Sequence, residues 1–131
     1  MGLCMSLNLE EFDEEYDVNM SYGYYLSFRI KLLNSLDEGL GDQFKDELLF
    51  KKEISENLLE RLNKLNLIEF CLHSDCDGKL GLRIIKKTLK TMEKIEIKKE
   101  DLLDYDFCKK LEEVKKIFRK ALELHRQITY C

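Results

Sequence analysis

The sequence predicts a mainly α protein: a compact, single-domain bundle of about four helices, with an extended N-terminal arm and a degenerate EF-hand-like turn. Three observations carry this expectation. Proline is absent and charged residues make up 37% of the 131 residues, a mixture that suits helices. Hydrophobic residues make up 44%, enough to build one core at this length. Several stretches repeat apolar residues at spacings of three and four, the signature of a helix with one buried face.

The elements follow in order. Leu3, Met5, Leu7 and Leu9 alternate with other residues, the period of a short strand, here read as an extended arm. An acidic linker, with the arm spanning residues 1–18, continues to Asn19. Ser21 is suited to cap a helix whose face carries Tyr25, Phe28, Leu32 and Leu36, widened by Leu26, Ile30 and Leu33. Gly39 and Gly41 then offer the left-handed geometry of a helix stop. Residues 44–50 predict a short helix, and Ser55 to Asn66 a longer one with Leu58, Leu59, Leu62 and Leu65 as its stripe. The apolar run at 67–72 fits either a buried helical extension or a short strand. Beyond a polar turn, Leu82, Ile85, Leu89 and Met92 mark another helix with lysines opposite. Asp104 or Asp106 is suited to cap the last helix, whose face carries Leu111, Val114, Phe118, Leu122 and His125.

Charge and cysteine usage narrow the class. The net charge of −4 argues against general nucleic-acid binding, which leaves a basic footprint. Acids cluster at Glu10, Glu11, Asp13, Glu14, Glu15 and Asp17. Bases cluster at Arg83, Lys86, Lys87, Lys90, Lys94, Lys98 and Lys99. These are two solvated faces able to attract each other, or a basic face that meets a phosphate or an acidic protein. Five cysteines and no hydrophobic leader segment point to reduced thiols in a cytoplasm rather than a disulfide framework. No apolar run is long enough to span a membrane.

The most informative stretch is CLHSDCDGKLG, residues 71–81. Counting from His73, Asp75, Asp77, Gly78 and Leu80 fall at positions three, five, six and eight of an EF-hand loop. The pattern is damaged: His73 replaces the first carboxylate, and Ile84 stands where the bidentate glutamate belongs. A calcium-free turn is the expectation, with Asp75 and Asp77 bonding backbone amides and capping the helix after Gly78. Zinc is a second metal reading, with Cys71, His73 and Cys76, but this spacing matches no standard zinc pattern. Cys71 reads more simply as a small buried hydrophobe. Cys76 as nucleophile with His73 as base is a third reading, a hydrolase without an evident oxyanion loop.

SYGYYLSFR at 21–29 and HSDCDGKL at 73–80 together resemble a group of small uncharacterised bacteriophage and bacterial proteins. These share an MGL start, an S-Y-x-x-F-like aromatic helix start with an arginine, and an H-S-D-C-D-G turn. Where that group tends to continue with xLSPEEC, this chain has KLGLRII, which removes the acidic pole of an EF-hand. The resemblance implies a phage-encoded, non-enzymatic binder that blocks a host protein or sequesters a host signal.

The expected ligand site joins the two motifs. Tyr22, Tyr24 and Tyr25 offer faces for stacking, and Arg29 a fork for phosphate. His73, Ser74, Asp75 and Asp77 would complete it, with Arg29 paired to Asp75 or Asp77. For Tyr25 and Phe28 the competing assignment is core. The expected function is sequestration of a phosphate-bearing small molecule, such as a nucleotide immune signal, in the host cytoplasm. The alternative is an inhibitor that binds a host protein through its charged faces. No catalytic residue, metal or cofactor is assigned, and a homo-oligomer is compatible with the sequence.

Overall fold

A computed structural model describes residues 2–7, 16–73, 78–95 and 105–130. The protein is mainly helical, as expected, but a small antiparallel sheet shares the core. The strands are β1 (Gly2–Ser6), β2 (Val18–Ser21), β3 (Lys79–Leu80) and β4 (Ile128–Tyr130), in the spatial order β2-β1-β4-β3. The helices are α1 (Tyr22–Leu36), α2 (Leu40–Phe50), α3 (Glu56–Lys64), α4 (Ile68–Leu72), α5 (Leu82–Met92) and α6 (Tyr105–Leu124).

The N-terminal arm is therefore a strand of a sheet. Its alternation is real: Leu3, Met5 and Leu7 are buried, while Leu9 lies outside the described residues. The linker ends earlier than expected, because Val18 and Met20 turn inward and Asn19 and Ser21 outward, so that Met5 pairs with Val18 and Gly2 with Ser21. The acids at 10–15 lie outside the described residues, as do Lys98 and Lys99.

The helical expectations hold where the pattern is local. Ser21 caps α1, its Oγ accepting from Tyr24 N at 3.1 Å, and Ser55 caps α3 in the same way at 3.2 Å from Leu58 N. Ser55 N in turn donates to the Glu47 carboxylate at 2.7 Å. Bonds from Ser55 and Gln43 hold that carboxyl below the usual range. The 67–72 run is the helical alternative, α4.

The two glycines separate in role. Gly39 takes the left-handed φ of 84° that a helix stop requires. Gly41 instead sits inside α2, which begins earlier than the sequence suggests. A Cβ there would run into Ile30 O and the Asn34 side chain, and Gly41 N donates to Asn34 Oδ1 at 2.7 Å. It marks a close approach of α1 and α2.

Two further corrections concern the last helices. His125 is exposed at the end of α6, with φ 53°, so it does not extend the stripe of Leu111, Val114, Phe118 and Ala121. The helix after the polar turn does not follow Gly78 directly. The two-residue strand β3 intervenes, and α5 is capped by Gly81 without a side-chain bond.

Candidate functional site

Two of the residues expected to form a ligand site, Tyr25 and Arg29, converge, but as packed core. Tyr25 is fully buried, its hydroxyl sharing a 3.1 Å hydrogen bond with that of Tyr130. Its ring meets those of Phe70 and Tyr130 edge-on at 6.2 and 6.1 Å, the arrangement that suits aromatic quadrupoles. Burial, reinforced by Tyr25, pushes the Tyr130 hydroxyl well above its ordinary range.

Arg29 is only 6% exposed. Its Nη1 donates to Cys71 O at 2.7 Å, one of the terminal carbonyls of α4 that no helical amide satisfies. The guanidinium lies 4.2 Å from the Tyr25 ring centroid and 5.6 Å from that of Phe44, so ring faces supply part of the solvation the cation gives up. Among the described residues the buried Nε has no hydrogen-bond partner and no carboxylate pairs with Arg29. The expected partners Asp75 and Asp77 lie outside the described residues, as do Ser74 and Cys76. Arg29 thus reaches the end of α4, two residues before the 73–80 motif, through the backbone at Cys71.

His73 closes the base of the turn. Its Nε2 lies 3.1 Å from Lys79 O, donating to it in the Nε2–H tautomer, and its ring sits 4.4 Å from that of Tyr130. Gly78 has the left-handed φ of 93° that position six of an EF-hand turn calls for, and its carbonyl accepts from Tyr130 N at 2.9 Å. A Cβ on Gly78 would meet the His73 ring at 3.2 Å. Ile84, in place of the bidentate glutamate, packs half-buried against the core.

These surroundings bear on the other readings of the turn. Cys71 is buried, and loss of solvation pushes its thiol up to about 12. That suits the core role and not a thiolate ligand or nucleophile. Among the described residues no group of His, Cys, Asp and Glu is arranged to hold a metal ion. Nor, among them, is any helix long and apolar enough to cross a membrane.

An open groove lies one turn away, at the amino end of α1. Because β2 runs directly into this helix, Asn19, Met20 and Ser21 form one wall of a groove of about 300 Å³, completed by Tyr24 and by Asp106, Lys109, Lys110 and Glu113 of α6. The four α6 residues share a face because they are spaced by three and four. Tyr24 is half-buried, and its hydroxyl donates to Asp106 O at 3.0 Å. Lys110 Nζ donates to Asn19 O at 3.0 Å, contacts Glu113 Oε2 at 2.8 Å, and lies 6.0 Å from the Tyr24 ring centroid. Tyr22 is half-buried against the core. The first turn of α1 carries no acid, and a Cβ on Gly23 would meet nothing within 4 Å.

Of the expected residues, then, Tyr24 lines open space, Tyr25 and Arg29 do not, and His73 serves the turn. Lys109 and Lys110 were missed by sequence reasoning. They belong to a helix dense in charge, where nothing local distinguishes them from a solvated face. No protein-family model, curated protein or solved structure matches this chain.

Proposed function

We propose that the protein is a non-enzymatic binder of a phosphate-bearing small molecule, held at the amino end of α1 and not at Arg29. The observation that carries this reading is the groove of about 300 Å³, which brings one aromatic ring and two lysines to a helix start with no acid in its first turn. An anion there gains from the backbone amides and the helix dipole. The open space over Gly23 lets it approach the backbone. Tyr24 offers a partly exposed face on which a base stacks, and Lys109 and Lys110 offer charge to the phosphate. Asp106 and Glu113 also line the groove, which favours a ligand that accepts and donates hydrogen bonds over a bare polyanion. The resemblance to phage proteins makes a nucleotide immune signal the first chemistry to test.

The experiment incubates the protein with inorganic pyrophosphate, a nucleoside diphosphate or a cyclic dinucleotide, then denatures it by heat and analyses what is released. Intact ligand in stoichiometric amount supports sequestration, and altered ligand identifies an enzyme. Gly23→Glu sharpens the result. It places a carboxylate in the first turn, which suits the helix, but occupies the anion's position, so the fold persists while ligand recovery falls at least tenfold. Unchanged recovery removes the groove from consideration.

A further inference from the structure

We infer that α5 is a docking surface for an acidic segment of a partner protein, independently of the groove at α1. Arg83, Lys86 and Lys90 of α5, with Lys94 just beyond it, are all exposed. At 3.6 residues per turn they fall within about a quarter of the helix circumference and extend over about 16 Å. Among the described residues none of the four takes part in an ion pair. Two acids of the described residues are already occupied: Glu69 is bonded to Lys87 at 2.7 Å, and Glu93 to Arg119 at 3.3 Å. Arg83 does act on Glu69 at longer range.

Helix chemistry accounts for only half of this stripe. Cations near the carboxyl end complement the helix dipole, which explains Lys90 and Lys94. Arg83 and Lys86 stand near the amino end, where a cation is disfavoured. No acid occupies that first turn, and its cap, Gly81, contributes no side-chain bond. Among the described residues no side chain caps these amides, and with two cations beside them they favour carboxylates supplied from outside.

The form of the surface selects among anions. One face of a helix is convex and suits a broad partner more than a small molecule, which binds in concave sites. A long polyanion such as duplex DNA meets the stripe but also the field of a chain whose net charge is −4. An acidic protein segment with carboxylates at helical spacing matches the stripe locally, its charge ending where the stripe ends.

The test measures binding of poly-L-glutamate, a duplex DNA oligonucleotide and phosphatidylserine vesicles at about 20 mM salt, where screening is weak. The expected result is that poly-L-glutamate binds the parent more tightly than the other two. Lys86→Glu/Lys90→Glu should weaken it at least tenfold with an unchanged circular dichroism spectrum, whereas Lys45→Glu, on the exposed side of α2, leaves it within twofold. If charge reversal disturbs folding, Lys86→Gln/Lys90→Gln should show at least a threefold loss. Equal binding by the Gln variant, or tighter binding of DNA or vesicles by the parent, overturns the proposal. So does salt-sensitive self-association of the parent that the double variant abolishes, which would make a second copy the occupant.

Discussion

Tyr24 and Tyr25 are neighbours in sequence and opposite in circumstance. Tyr24 leans on α6, half-buried beside a groove, while Tyr25 is sealed against Phe70, Tyr130 and Arg29. The helical period decides this. One residue is a rotation of about 100°, enough to move a side chain from the rim to the centre. A cluster of tyrosines around an arginine is therefore not one chemical unit. Here it divides into an open end and a closed end, and Arg29 belongs to the closed one.

The largest effect should separate the two tyrosines. Tyr25→Ala removes a buried ring and its hydrogen bond, and should destabilise the fold by about 4 kcal/mol, seen as a Tm fall of more than about 10 °C. Tyr24→Ala should change stability by less than about 1.5 kcal/mol while abolishing ligand stacking. If the two variants melt alike, the division of α1 into closed and open ends is wrong.

Arg29 comes next. Lysine cannot lie flat between the Tyr25 and Phe44 rings or direct a planar fork at Cys71 O. Arg29→Lys should therefore lose about 1–3 kcal/mol in a denaturant titration and bind ligand normally once folded. The opposite pattern, full stability with lost binding, would return Arg29 to the ligand site.

Gly78→Ala tests the carboxyl-terminal margin of the closed end. It forces a residue with a Cβ into a left-handed conformation against the His73 ring, which should cost about 1–2 kcal/mol. A neutral result would mean that the His73–Tyr130 contact yields freely.

The smallest effect is in alkaline solution. Burial raises both the Cys71 thiol, to about 12, and the Tyr130 hydroxyl. A raised acid favours its neutral form in the folded state, so its contribution to stability is complete below the unfolded pKa. That contribution is lost as pH rises from the unfolded toward the folded value. Stability should therefore fall as pH rises from about 9 toward about 12, and Cys71→Ala should fall by less over the same interval. A parallel decline would show that Cys71 ionises with equal ease in both states.

What could be read in the sequence was what lies within a few residues. Ser21 and Ser55 announce their helices because a cap bonds an amide three residues on. The stripes from Leu58 and Ile85 follow from periodicity alone. Arg29 was legible as a cation at an apolar boundary, but its acceptor, a main-chain carbonyl of α4, has no letter in the sequence. The sheet was half legible: β1 shows its alternation, whereas β4 is three residues, Ile128, Thr129 and Tyr130, too few to establish a period. Its β-branched and aromatic composition was the only signal. The groove was illegible because its walls meet through residues 82 and 91 positions apart in the sequence.

The sheet order also has a consequence for biosynthesis. β1 sits between β2 and β4, so its first partner emerges from the ribosome almost at once and its second among the last residues described. Until β4 is made, one margin of a β1 already paired with β2 would present bare amides and carbonyls, with Leu3 and Met5 beside them, open to pairing with another nascent chain. Translation halted before Ile128 would release a chain exposed along both β1 and β3, because β4 is the strand that covers each of them.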